Sequence, residues 1–391
     1  MAIIVPIETV TPVWTGDNEK KTSYPRATSF LGGLRFWTEA LLRSQGQEVC
    51  SATDGNRCIH DPRKEKHACA ACQIFGCPGL SRGFALRVAN EQPGRNGGGS
   101  KAIGQVALRK YEYMTDRGGK KIPTWYLQDP GLVGKFDLAF SPLRPLPAAS
   151  RDGRPVAISL SDCLMLAIHL LLHWGMLGAK DQYGYGLVRV RETEAAEQFS
   201  TLWGKTLKAL AGAPDIVPAA CELPSLRDFF FFFGQVKESN LPPRMKWEEY
   251  ARDIPFEIRY QVRSELRKTN ENRQDHGRAR NKPLRSNENR HDQNAGLRHY
   301  FCGAIENDKR QATRFNMGLD GKTIYGWGHF PSSAERWQEG ERDYCLDLLK
   351  KKLADYCNRV SWKEFDSDRD TCASKTNWKE FLCELANCPW R

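Results

Sequence analysis

Apolar positions along this chain fall into runs whose period switches between two and roughly three and a half. Residues 3–13 (IIVPIETVTPV) are β-branched with partial alternation and predict a strand. Residues 30–43 (FLGGLRFWTEALLR) place Leu34, Trp37, Ala40 and Leu41 on one helical face. On the other face Arg35, Glu39 and Arg43 stand at four-residue steps, where they can form ion pairs. Strands are predicted at Phe84–Val88, Val106–Tyr113 and Phe136–Phe140. Ser161 and Asp162 are placed to cap an apolar helix through Trp174, and Leu187–Val190 reads as a closing strand. The order is β-α-β-β-α-β, an RRM-like (ferredoxin-like) unit of the α+β class.

The second half predicts a more divergent unit of the same class. Phe229–Phe233 is five consecutive phenylalanines, as expected of a strand buried on both faces. Ile258–Arg267 reads as a helix, and Met317–Trp327 as a hairpin turning at Asp320-Gly321. A helix is predicted over 341–356, with Leu346, Leu349 and Leu353 on one face. Two stretches lack the apolar content to pack: the loop 94–101 (GRNGGGSK), and 267–296, whose only large apolar residue is Leu284. The expected domains are 1–195, with a cysteine-rich loop at 50–77 inserted, and 215–391, with a flexible insertion at 267–296.

Composition sets the class without changing this division. The 391 residues are 40% apolar and 27% charged, the balance of a soluble globular protein with room for two cores. The longest apolar stretch, Cys163–Leu172, is too short to span a bilayer, so no membrane segment is expected. The N-terminal MAIIVPIETV lacks a basic region and a cleavage site. Thirteen cysteines without an export signal point to a reducing, cytoplasmic setting. A net charge of +11 and pI near 9.0 favour a polyanionic partner.

The densest chemistry lies between Cys50 and Cys77, where five cysteines and two histidines occupy 28 residues. Cys50, Cys58, Cys69 and Cys72 make a tetrathiolate set that suits a structural zinc, with Cys69-Ala-Ala-Cys72 as its CxxC pair. His60, His67 and Cys77 remain as substitutes, and free thiols in a loop are the plainer alternative. His169 and His173, four apart on the apolar helix, are more often core histidines than ligands. Cys357, Cys372, Cys383 and Cys388 lack a CxxC pair and read as buried thiols.

The segment Gly178-Ala-Lys180-Asp-Gln-Tyr183-Gly184-Tyr185-Gly186 combines glycines that admit phosphate to the backbone, a lysine, and two tyrosines that offer stacking faces. It fits neither a Walker loop nor GxGxxG, and by itself reads equally as a tight turn. Basic residues with aromatics recur at 109–126, and 263–290 holds nine basic residues against four acidic ones. A solvated basic face accounts for either stretch taken singly.

Taken in order, Thr11-Pro-Val-Trp-Thr-Gly16, Ser29-Phe-Leu-Gly32-Gly33-Leu34-Arg35-Phe36-Trp37, Cys72-Gln-Ile-Phe75-Gly76 and the Gly178–Gly186 loop resemble the RAMP subunits of type III CRISPR effector complexes. The likeness is greatest to the first subunit of the Cmr (type III-B) complex. Leu297-Arg298-His-Tyr-Phe301-Cys-Gly303 and Arg314-Phe-Asn-Met-Gly318 extend it into the second half. The resemblance implies two RRM-like domains and a non-catalytic subunit that contacts guide RNA and helps capture target RNA beside other RAMP subunits. On that reading Arg35, Lys180, Tyr183, Gly184, Tyr185, Gly186 and Arg298 carry the RNA contact. The dense cysteine cluster departs from the first-subunit pattern and is more like that of the zinc-bearing backbone subunits. Two rivals stand beside this reading. One is an endoribonuclease using Asp17, His169 or His173; the other is a zinc-dependent protein-interaction module with no RNA role.

Overall fold

The computed structural model describes residues 2–16, 22, 24–50, 58–64, 67–90, 103–106, 114–117, 120–123, 131–147, 158–179, 181, 184–213, 224–238, 254–267, 297–298, 300–306, 309–311, 313–331, 340–371 and 377–387. The side chains of 62, 90, 103–106, 114–117, 120–123, 304–306 and 309–311 are excepted. The predicted insertion beyond residue 267 and the loop at 94–101 lie outside the described residues.

The N-terminal half builds one antiparallel sheet from β1 (Ile3–Thr9), β2 (Phe84–Asn90), β6 (Gly131–Pro142) and β7 (Val188–Val190), in the order β2-β6-β1-β7. A short β3 (Ile103–Val106) also pairs with β6, while β4 (Met114–Arg117) and β5 (Lys120–Pro123) pair with each other. Alternation along β6 turns Phe136, Leu138 and Phe140 inward and leaves Lys135 exposed. Helix α1 (Ala27–Ser44) and helix α3 (Leu160–His173) cover that inner face, with Phe30 stacked on Phe136 at 5.9 Å. The cap of α3 falls at Ser159, two residues before the expected position. Its side chain accepts from the Asp162 backbone N–H. The two residues expected to begin the helix are already inside it.

The second half repeats this plan. Strand β8 (Phe229–Val236), helix α5 (254–267), strands β11 (Phe315–Asp320) and β12 (Thr323–His329), helix α6 (Glu341–Tyr356) and β13 (Cys357–Glu364) form a second unit. Its sheet order, β11-β12-β8-β13, is that of the first sheet with each strand replaced by its counterpart. The hairpin turns at Asp320-Gly321 as expected, with Asp320 opposite Thr323. A minor pair, β9 (Ala304–Glu306) with β10 (Lys309–Gln311), lies outside this order.

The phenylalanine run explains how the two halves meet. Phe230 and Phe232 face the second unit's own helices, where they stack on Trp362 at 5.2 and 5.7 Å. Phe229 and Phe231 face the other way, against Trp37 of α1 at 5.4 and 6.1 Å. Trp174, just past α3, reaches Phe231 at 5.1 Å. The helices of the first unit are therefore sandwiched between both sheets. Each ring so removed from water contributes about 1.5–3 kcal/mol.

Among the elements without a counterpart in the sequence reading are two helices that pack together. α4 (Glu194–Gly212) fills the interval between the expected domains, capped by Thr193, and buries Phe199, Trp203 and Leu210. α7 (Trp378–Ala386) packs near the same place, and the Trp174 indole donates to Leu385 O at 3.1 Å.

Candidate metal centre and glycine loop

The cysteine cluster is assembled from three pieces of chain. Cys50 follows the C-terminal end of α1, and Cys58 enters from the next loop. Cys69 and Cys72 lie at the head of helix α2 (Ala70–Phe75), with Cys69 as its N-cap residue. The sequence predicted a loop here. Instead every residue of α2 is buried, and Ala71 and Ile74 are wholly within the core. Gly76 closes the helix at φ +83°, where an added Cβ would meet Leu80 O at 3.0 Å.

The sulfur atoms of Cys50, Cys58, Cys69 and Cys72 all lie within 4.8 Å of one another. Cys50 Sγ is 3.3 Å from Cys72 Sγ and 3.7 Å from Cys69 Sγ. Four sulfurs held at about 2.3 Å from one zinc stand about 3.8 Å apart, so this donor set fits a tetrahedral zinc with small adjustments. The Cys69 backbone N–H points at Cys58 Sγ at 3.4 Å. Among the described residues this is the one group of three or more Cys, His, Asp or Glu close enough to share an ion, and it leaves out His60, His67 and Cys77. A hydrogen bond from Cys72 draws the Cys69 thiol down to about 5, while the same pairing and burial push Cys72 well up.

Arg35, expected on the RNA, turns to this cluster instead. Its Nη2 lies 3.6 Å from Cys72 Sγ and 3.9 Å from Cys50 Sγ, and its Nε donates to Glu39 at 2.7 Å. The predicted ion-pair row on α1 is formed, since Arg43 also donates to Glu39 at 3.0 Å.

A second assembly joins Thr11–Gly16 to the glycine loop, stretches more than 160 residues apart in sequence. Ala179 N–H donates to Trp14 O at 2.8 Å, and Gly186 N–H donates to Pro12 O at 2.9 Å. Leu187 N–H donates to the Thr11 hydroxyl at 2.9 Å. Gly178 and Gly186 sit at φ +88° and +94°, and an added Cβ at either would lie 2.4 Å from a backbone carbonyl oxygen. Gly184 lies beside Met317 O and Gly318 of the second unit, so the loop is braced from both halves.

Of the tyrosines expected to stack on bases, Tyr185 is fully buried, its ring lying against the Gly131 backbone. It supports the loop from within and offers no stacking face, which corrects the sequence expectation. Lys180, Tyr183 and Asp17 lie outside the described residues. Arg298 is half-buried at a helical turn. His169 and His173 are 0% and 3% exposed, and His169 stacks on Trp203 with ring centroids 3.9 Å apart. Burial, and then the His173 charge, hold His169 well below the usual imidazole range. Cys357 is buried and Cys383 half-buried; Cys372 and Cys388 lie outside the described residues.

The sequence reading missed one pair. Tyr24 is 52% exposed and the Arg26 guanidinium lies 4.7 Å from its ring centre. The Thr15 hydroxyl donates to Tyr24 O at 2.9 Å, which places this pair beside the glycine loop. The only signal available in advance was an aromatic two residues before a basic side chain.

Residues 6–189, which span both assemblies, match the model of the RAMP superfamily. Over those residues the chain belongs to the RAMP superfamily. The match takes in most of the first sheet, its two covering helices and all four sulfur donors. The second unit lies beyond the matched residues and has the same strand order as the first. Among solved structures the chain is similar to Cmr1 from Pyrococcus furiosus in its apo form, at 14% identity and a TM-score of 0.44, covering 93% of this chain and 98% of that one. It is also similar to a chain of the type III-B Cmr-beta complex bound to cognate target RNA. There the identity is 11% and the TM-score 0.44, covering 90% of this chain and 99% of that one. No curated protein matches the sequence. No described helix is long and apolar enough to cross a membrane.

Proposed function

We propose that this RAMP protein is a cytoplasmic, RNA-binding structural subunit of a type III CRISPR ribonucleoprotein, closest in role to the first subunit of the Cmr complex. It contacts guide RNA, helps capture target RNA and docks on other RAMP subunits. The observation that carries the reading is the joining of Thr11–Gly16 to Gly178–Gly186 within the family-matched half. Lys180 and Tyr183 of that loop, with the Tyr24–Arg26 pair beside Thr15, would suit a phosphate chain with unpaired bases. Gly184 and Gly186, buried, would hold that loop in shape, and Arg298 would be a further contact from the second unit. The net charge of +11 favours the same partner.

Cys50, Cys58, Cys69 and Cys72 would hold one structural zinc. The metal joins the end of α1, the following loop and the head of α2, and its four positions are filled by sulfur, leaving none for substrate. In the endoribonuclease rival, two of the three named residues, His169 and His173, lie inside the core where no scissile phosphate reaches.

The test is to sequence the RNA that co-purifies with the chain when it is expressed beside its own CRISPR locus. Short RNAs of regular length with repeat-derived tags are expected. Bulk cellular RNA, or none, would count against the proposal and favour the zinc-dependent interaction module.

A further inference from the structure

We infer that Arg35 belongs to the metal centre rather than to the RNA surface, as the hydrogen-bonding partner that makes a four-thiolate zinc site tolerable at this depth. The inference rests on the zinc reading of the cysteine cluster and goes beyond it to a residue that is not a ligand.

The charge arithmetic shows why such a partner is needed. Zinc with four thiolates carries two negative charges, and three of its four donors are half-buried while Cys72 is buried. A net charge held partly out of water is costly unless an opposite charge and hydrogen bonds compensate it. Arg35 is the cation in place. Its Nη2 points at Cys72 and Cys50 at 3.6 and 3.9 Å, within the range of N–H···S contacts. A planar guanidinium can serve two sulfurs from one nitrogen while a second nitrogen, Nε, is committed elsewhere, whereas an ammonium must make every hydrogen bond from a single atom.

The commitment of Nε is what fixes the geometry. Glu39, one turn on, accepts from Arg35 Nε at 2.7 Å through one oxygen and from Arg43 Nη2 at 3.0 Å through the other. Arg43, 4% exposed at its side chain, donates from Nη1 to Pro224 O at 3.1 Å. Pro224 precedes the second unit's first strand. The row Arg35–Glu39–Arg43 thus runs from the sulfurs to the junction between the units along one face of α1. Arg35 is a positioning residue held by a relay, and metal ligands are commonly oriented by such outer partners.

The experiment measures zinc affinity of the full chain by competition with a chromophoric chelator at fixed pH, for wild type, Arg35→Gln and Arg35→Lys. Arg35→Gln is expected to bind zinc about 10–100-fold more weakly. Arg35→Lys, which keeps the charge but not the fork, is expected to fall between. With cobalt in place of zinc at full occupancy, the thiolate-to-metal charge-transfer band is expected to shift in Arg35→Gln, because N–H···S bonds draw electron density from sulfur. A merely structural arginine would not move that band. Equal affinity and an unshifted band in Arg35→Gln overturn the inference and leave the zinc reading intact. A wild-type chain that takes up no zinc overturns both. Should Arg35→Gln fail to fold, Glu39→Gln, which frees the guanidinium from its tether, is expected to weaken zinc binding in the same direction, and unchanged binding there overturns the inference.

Discussion

The indole of Trp37, on the first helix of the N-terminal unit, lies 4.9 Å from the indole of Trp327, on a central strand of the second sheet. Phe229 stacks on Trp327 at 5.6 Å and Phe36 approaches it at 6.0 Å, so the rings of both units form one buried cluster. In an RRM-like unit the sheet face opposite the helices is where aromatic side chains stack on bases. In the second unit that face is occupied by the helices of the first.

Trp37→Ala is expected to cost about 3–5 kcal/mol, since it empties a large buried volume that rings from both units line. Urea denaturation followed by fluorescence and by circular dichroism measures it. A loss below about 1 kcal/mol, or a wild type that unfolds in two separated steps, contradicts a shared core.

His329 makes stability fall with acid. Burial, and then the Arg314 charge, hold its imidazole down to about 3. Arg314 Nη1 is 2.9 Å from His329 Nε2, and because arginine only donates, that nitrogen is the acceptor of a neutral ring. The unfolded chain binds a proton near pH 6.5 and the folded one does not until about 3. Between those values the unfolded state holds the extra proton, so stability drops as pH falls, by at most about 1.4 kcal/mol per unit from this group. His329→Gln keeps an acceptor for Arg314 and should flatten that part of the curve. An identical slope from pH 6.5 to 4 in the variant would remove His329 as its source.

Elemental analysis of the purified chain is expected to find about one zinc per molecule. Cys69→Ser and Cys72→Ser should each abolish it, and chelation of the wild type should lower its melting temperature, because binding free energy here is folding free energy. A metal-free chain that melts at the same temperature as the zinc-loaded one would falsify the structural role.

Lys180→Ala is expected to weaken RNA binding evenly across sequences and to lower the slope of log affinity against log salt by about 1, with no change in stability. Gly186→Val should act differently. Its φ of +94° and the Leu177 carbonyl 2.4 Å from the added Cβ predict a loss of loop structure, at a cost of about 1–3 kcal/mol. If the two variants behave alike in both assays, the loop does not divide into a contact and a scaffold.

Much of the fold was legible in the chain because its signals are local. The alternation at Phe136–Phe140, the helical spacing of Leu34, Trp37 and Leu41, and the Asp320-Gly321 turn all act over a few residues. The four sulfur donors were readable for the same reason, since a CxxC pair with two cysteines upstream constrains its chemistry by spacing. The missed helix Glu194–Gly212 carries a cap and an apolar face, yet it falls mostly in the interval left between the two expected domains, 1–195 and 215–391.

What the sequence determined by itself was therefore the kind of element wherever the periodicity is strong, the repeated β-α-β-β-α-β order and the tetrathiolate set. What only the tertiary structure decided was which face of each element meets which partner. Arg35 stands on a helix face that serves RNA or sulfur equally well by spacing, and Tyr185 in its loop reads as exposed. The sulfurs that engage Arg35 lie 15 and 37 residues away along the chain, and the interior that takes Tyr185 includes Gly131 of another strand. Side-chain periodicity records that a face is buried or charged. Its partner is set by long-range packing, in which one arrangement fills space and satisfies charge better than the rest.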